Sequence, residues 1–206
     1  MSFSENNSSH SVRQVSSIQP STLRWPPCIA YTQQQPHVAV RRVAAHDYQL
    51  LTDLLARLSD RTHRLRYMLP RSRAAEALER EARRMLRGAT GDYVTLIVLS
   101  QPPGQTTALA VGELALDRAE PTSAEIAIVV RDDVQGQGIG TLLGNRLLQT
   151  AERLGITTIR ADLLAENSAS FRLIRRLGVP FRIIPSRGTL QVVLSCDQRG
   201  VDSDAR

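Results

Sequence analysis

Lysine is absent from this chain. All 26 basic side chains are arginine, set against 20 Asp and Glu in 206 residues, for a formal charge of +6. Cysteine is scarce as well: Cys28 and Cys196 stand far apart near the two ends, a placement that excludes a disulfide framework and a cysteine metal cluster. Aromatic residues make up 4% of the chain, too few for a platform on which single-stranded bases could stack. No helix-turn-helix or zinc pattern is present, so nucleic-acid binding is disfavoured despite the charge. The arginines from Arg57 to Arg87 share their stretch with Asp53, Asp60, Glu76, Glu79 and Glu81, the pattern of a solvated face. Net basic charge would still draw in a polyanionic ligand. Nowhere does the chain hold the roughly 20 apolar residues of a membrane span, or the apolar centre of a signal peptide, so a cytoplasmic protein without membrane contact is expected.

What is present suffices for one domain, with 42% hydrophobic content. Residues 1–36 are rich in Ser, Gln, Asn and Pro and carry no periodic apolar stripe, so they are expected to form a disordered arm. Residues 37–196 then form the domain and 197–206 a flexible tail.

Ala124 to Leu143, AEIAIVVRDDVQGQGIGTLL, is the most informative run. Apolar residues from Ile126 to Val130 suit a buried strand, and Gln135-Gly136-Gln137-Gly138-Ile139-Gly140 follows directly, leading into a helical pattern. Glycines permit a tight turn whose backbone N–H groups point inward together, and a helix opening near Ile139 or Thr141 adds unsatisfied donors and a positive dipole end. Such a loop binds phosphate without needing a basic side chain. A kinase-type P-loop is excluded, because Thr141 follows Gly140 with no lysine. A dinucleotide fingerprint is excluded by spacing, since Gly136, Gly138 and Gly140 alternate and Gly144 comes too late.

The elements around it read as β, α, α, β, β, β, α, β, α, β, β. Val38 to Val43 alternates as a strand, and Asp47 to Leu58 and Ser72 to Arg87 repeat at helical spacing. Tyr93 to Leu99 and Ala108 to Leu116 are strands about a Pro102-Pro103-Gly104 turn. After the loop come a helix through Leu143, Leu147 and Ala151, a strand from Ile156 to Leu164, a helix opened by Asn167 and Ser168 and closed by Gly178 and Pro180, and strands at Phe181 to Ile184 and Leu190 to Leu194. The class is mixed α/β, with helices on both faces of one sheet.

The pattern Gln-x-x-Gly-x-Gly at Gln135, Gly138 and Gly140, after Val-Val-Arg-Asp-Asp, resembles the acyl-CoA loop of the GCN5-related N-acetyltransferases, and the likeness runs over roughly residues 38 to 195. Residues 58 to 68, LSDRTHRLRYM, are similar to the segment after the first helix in bacterial protein-lysine acetyltransferases of that superfamily. The resemblance implies a mostly antiparallel sheet of six to seven strands with a splayed cleft for acetyl-CoA, and no metal. It implies that Gln135, Gly136, Gln137, Gly138, Ile139, Gly140 and Thr141 take the pyrophosphate, and that Ile128, Val129 and Val130 line the cofactor. A backbone N–H of Val129 or Val130 would face the thioester oxygen as it gains charge. Asn167 and Ser170 would meet the pantetheine arm, although Asn167 is equally readable as a helix N-cap.

Acetyl transfer requires an amine that has lost its proton, and a lysine-type amine has a reference pKa of about 10.4. Glu125, ten residues before Gln135, stands where the family places its catalytic Glu, and is the expected general base, directly or through water. As a bare sequence feature it is also readable as a charged strand end. Glu113 is the reserve candidate. The tyrosine with which many members protonate the leaving thiolate is replaced by Ile174, so no general acid is visible, and the usual Gly-Phe ending is Gly178-Val179. The expected acceptor is a protein lysine; a small amine is the alternative, and a non-catalytic acyl-CoA-binding module is the third reading. An arginine-rich lid from 57 to 87 would favour an acidic protein surface. A monomer or a homodimer is expected. Mutational bias toward arginine codons accounts for the missing lysine, and immunity to acetylation of its own side chains is the sharper reading.

Overall fold

In a computed structural model the described residues are 28–30, 38–68, 73–87, 92–100, 106–186 and 188–196. The elements are β1 (Cys28–Ala30), β2 (Val38–Arg42), α1 (Tyr48–Ala56), α2 (Asp60–Tyr67), α3 (Ala75–Leu86), β3 (Tyr93–Ser100), β4 (Thr107–Leu116) and β5 (Ser123–Val130). They continue as α4 (Ile139–Arg153), β6 (Thr158–Leu163), α5 (Ser168–Arg176), β7 (Phe181–Ser186) and β8 (Thr189–Ser195). The strands form one sheet in the order β1-β2-β3-β4-β5-β6-β8-β7. Every neighbouring pair is antiparallel except β5 and β6, which run parallel.

Seven of these strands and four of these helices are the ones the periodicities predict, with ends shifted by a few residues. β1 falls inside the arm expected to be disordered, where it pairs with β2; the rest of residues 1–36, the Pro102-Pro103-Gly104 turn and the 197–206 tail lie outside the described residues. α2 is the other addition. Its sequence, DRTHRLRY, is almost wholly polar and shows no apolar stripe, yet Ser59 caps it by accepting a hydrogen bond from Thr62 N.

The central strands are covered on both faces. On one face, Leu143, Leu147, Leu148 and Ala151 of α4 and Ile174 and Leu177 at the end of α5 pack with Val94, Leu96, Leu114 and Ala124. On the other, Leu51, Leu54 and Leu55 of α1 and Leu78, Ala82 and Met85 of α3 meet Ile97, Leu99, Val111 and Val129. Burying a leucine fully contributes about 2 kcal/mol, so tertiary packing stabilises these helices more than propensity does. α4 lies unusually close to β4, since a Cβ on Gly112 would come within 2.7 Å of Leu147 Cδ1.

A buried ion pair ties β2 to α1. Arg41 donates to both carboxylate oxygens of Asp47, at 2.5 and 2.6 Å, Ala44 N donates to the same carboxylate at 2.7 Å, and the Asp47 side chain is wholly inaccessible. Burial opposes ionisation of Asp47, but Arg41 and the Ala44 amide outweigh it and hold the carboxyl below the usual carboxylate range. Because the folded state lowers this pKa, its contribution to stability is present above the unfolded value of about 4 and is lost as pH falls through the folded one. Asp47→Ala strands Arg41 and is expected to cost about 3 kcal/mol, with a shallower loss of thermal midpoint between pH 5 and pH 3 than the unchanged chain shows. Equal acid sensitivity of the two proteins would show that Asp47 is not the group responsible.

Candidate functional site

β5 is paired with β4 over Ala124 to Val130, but with β6 only over Ser123 to Glu125. Beyond Glu125 the parallel strands part, and a cavity of about 280 Å³ opens between them. Its walls come from β5 (Glu125 to Val130), the glycine loop, α5 and β6, and α2 contributes Thr62, Leu65 and Arg66.

The ladder decides which peptide groups face this cleft. Asp117 N donates to Ser123 O and Arg131 N to Leu109 O, so in antiparallel alternation the odd-numbered residues of β5 exchange hydrogen bonds with β4. The amides of Ile126, Ile128 and Val130 therefore point away from β4, toward the gap. Val130 O accepts from Gln135 Nε2 at 3.0 Å, in agreement with that direction. Of the two amides expected to face a thioester oxygen, Val130 is suitably turned, whereas that of Val129 is spent on β4. Ile128 offers a second.

The loop has the geometry an anion needs. Gly136 and Gly138 adopt φ of +79° and +87°, values that L side chains rarely take. Gly138 is the N-cap of α4 and supplies no side-chain cap, so the first amides of the helix keep their donors for another partner. A Cβ added at Gly140 would lie in ordinary contact range of Val130 and Leu173, so the first turn of α4 runs beside β5 and α5. Gln135, Gly136, Gly138, Gly140 and Thr141 all line the cleft; Gln137 does not and instead donates to Asp133 O at 3.3 Å, while Ile139 is buried.

Asn167 caps α5, its Oδ1 accepting from Ser170 N at 3.1 Å. Both residues also line the cleft, so the cap and the cleft wall are one feature. Ile174 is buried against the cleft, and Val179 takes the buried place of the missing phenylalanine while Phe181 is exposed.

The two carboxylate candidates part company here. Glu113 is 5% exposed, and its Oε2 accepts from both Arg66 and Arg84 at 2.7 Å. Arg84 also grips Glu81, which accepts from the Tyr67 hydroxyl at 3.0 Å. Burial and then the Glu81 carboxylate push the Tyr67 phenol above its usual range, so it stays a neutral donor. Glu113 is thus a member of a compensated buried network. Glu125 is exposed, lies at the point where the strands separate, and forms no ion pair with a described residue. Arg160, opposite it on β6, is engaged instead by Asp117 and Glu120. A second cavity, of about 220 Å³, is lined by Asp117, Glu125, Arg160, Asp162 and Gln191 among others, and meets the first at Glu125 and Asp162.

α2 was not legible as part of the site. Ser59 N and Oγ and Thr62 Oγ1 all donate to the Asp132 carboxylate, at 2.9, 2.7 and 2.6 Å, and Gln135 Nε2 reaches Thr62 Oγ1 at 3.3 Å. Arg64 pairs with Glu166 across the cleft. Burial works against ionised Asp132, but the donors of Ser59 and Thr62 hold its carboxyl below the usual range. In the arginine-rich stretch Arg73, Arg83 and Arg84 pair with acids of the stretch itself, and Arg64 and Arg66 pair with Glu166 and Glu113 outside it. These five guanidinium groups are therefore committed and not left over for an acidic acceptor. The available signal for α2 was Ser59 three residues before Thr62, a cap without a stripe behind it.

The domain is thus a mixed α/β one in which a strand pair parts beside a helix start whose amides have no side-chain cap. A model of the acetyltransferase (GNAT) domain matches residues 37–180, and the chain belongs to that family of N-acetyltransferases. Over 57 residues, 28% of this chain, it is 40% identical to the acetyltransferase Pat of Mycolicibacterium smegmatis, of whose length the match spans 17%. The GNAT domain of S. lividans PAT superposes with a TM-score of 0.68 at 19% identity, covering 84% of this chain and 99% of that one. Spermidine N-acetyltransferase from Vibrio cholerae, solved with CoA and spermine, superposes at 0.57 and 18% identity, covering 76% and 93%. At these identities the two structures speak to the fold. No helix among the described residues is long and apolar enough to cross a membrane.

Asp132→Ala should free the start of α2 from the loop. Amide exchange at residues 60–64 is expected to quicken about tenfold or more while α4 stays protected, and unchanged exchange there would rule out the tether.

Proposed function

We propose that this protein transfers an acetyl group from acetyl-CoA to a primary amine, with a protein lysine as the acceptor and Glu125 as the general base. The observation that carries the reading is the end of β5–β6 pairing at Glu125. An exposed carboxylate without an ion pair among the described residues lines the cleft where the strands part, and the glycine loop lines the same cleft. Acetyl-CoA would supply an activated thioester carbonyl when bound. The loop amides and the first turn of α4 would take its pyrophosphate, and Asn167 Nδ2, left over once Oδ1 caps α5, would suit a pantetheine carbonyl.

Glu125 would accept the proton of the incoming ammonium, directly or through one water, and so expose the nitrogen lone pair. The amides of Ile128 and Val130 would stabilise the charge gathered on the carbonyl oxygen. With Ile174 in the family's tyrosine position, the thiolate would leave without a protein acid, as its modest basicity allows. A cationic acceptor accords with the second cavity, where Asp117, Glu125 and Asp162 outnumber Arg160. The same cavity favours a second reading, a small polyamine-like acceptor, and the spermine-bound neighbour shares that fold. A protein lysine is preferred on the local identity to Pat.

Thiol release from acetyl-CoA, measured against panels of candidate proteins and of small amines, tests this reading. Glu125→Gln is expected to cut turnover about 100-fold or more at neutral pH while CoA affinity stays within about twofold. Undiminished turnover would remove Glu125 from the role. Release with small amines alone would move the acceptor to the second reading, and binding without release would leave a non-catalytic module.

A further inference from the structure

Most described arginines near the cleft are already committed. Arg64 pairs with Glu166, Arg66 with Glu113, Arg131 with Asp133, and Arg160 with Asp117 and Glu120. Arg172 and Arg176 differ: both are exposed, both line the cleft, and neither forms an ion pair with a described carboxylate. Four residues apart on α5, they lie about 6 Å apart along one helix face. Arg175, between them, is not part of the cleft wall. Leu173 touches the position of Gly140 in the first turn of α4, so this stretch of α5 flanks the phosphate loop.

We propose that Arg172 and Arg176 bind the 3′-phosphate of the CoA adenosine and make the enzyme selective for it; the proposal rests on the acetyl-CoA reading. The ligand has two anionic centres of different kinds. The bridged diphosphate is matched by the backbone donors of Gly136 to Thr141, which carry partial charge only. The remaining centre is a phosphomonoester dianion, and a pair of guanidinium groups suits it in both charge and fork geometry. Arg66, the other guanidinium in the cleft wall, is held by Glu113. Arg176 also lies in the last turn of α5, where a cation favours the helix dipole. That role alone would affect stability without telling one nucleotide from another.

The test measures the dissociation constants of CoA and 3′-dephospho-CoA by calorimetry on the full chain, on Arg172→Gln, on Arg176→Gln and on the double variant. Each single change is expected to weaken CoA binding about fivefold and the pair about thirtyfold, with 3′-dephospho-CoA altered by less than about twofold. The unchanged protein should prefer CoA, and the preference should shrink as salt is raised. Equal losses for both nucleotides would overturn the assignment by moving the arginines to the diphosphate, and unchanged CoA affinity would overturn it outright. Both side chains are exposed, so thermal midpoints should hold within a few degrees. Failure of the acetyl-CoA reading itself looks different, because the unchanged protein would then bind neither nucleotide.

Discussion

The site depends on one interrupted strand pairing. β5 is bonded to β4 along its length, yet its parallel contact with β6 stops after Glu125. Unpaired backbone groups inside a sheet are costly unless something satisfies them, and here the amides of Ile126, Ile128 and Val130 open onto a cleft large enough for a ligand. On one face of the sheet α4 packs through Leu143 and Leu147 almost onto the backbone of Gly112, and Ile174 and Leu177 join the same core cluster.

Polar contacts then organise what the core has opened. Asp132, at the entry to the phosphate loop, collects donors from Ser59 and Thr62, so the loop and the start of α2 are fastened together. Arg66 reaches from the same helix to Glu113 on β4, inside a network completed by Arg84, Glu81 and Tyr67. These buried charges compensate each other, whereas Glu125 is exposed and forms no ion pair with a described residue. The arrangement separates a buried, paired glutamate from an exposed one on adjacent strands, by partners and not by residue type.

The basic composition also resolves into distinct roles. Between 57 and 87, Arg73, Arg83 and Arg84 are taken up by acids of the same stretch, and Arg64 and Arg66 by Glu166 and Glu113. The charge left available in the cleft wall lies on α5, beside the glycine loop, and the acidic side chains gather in the second cavity beyond Glu125.

The glycine loop, the helix after it and the alternation of strands were legible because each depends on residues close in sequence: positive φ at Gly136 and Gly138 and helical spacing of Leu143, Leu147 and Ala151 are local facts. The family resemblance rested on the same short run. α2 was hidden because its stability comes from Ser59 and Asp132, 73 residues apart, and from Arg66 on Glu113, none of which leaves a periodic mark. Val129 and Val130 are equivalent as letters, and only the pairing with β4 turns one amide away and the other into the cleft. Glu113 and Glu125 were likewise two carboxylates on neighbouring strands until burial and two guanidinium groups set them apart. By itself the sequence determined the elements other than β1 and α2, the glycine loop and the place of the glutamate before it, since these follow from neighbouring residues. The tertiary structure decided which groups are free to react, because freedom depends on partners brought together from distant parts of the chain.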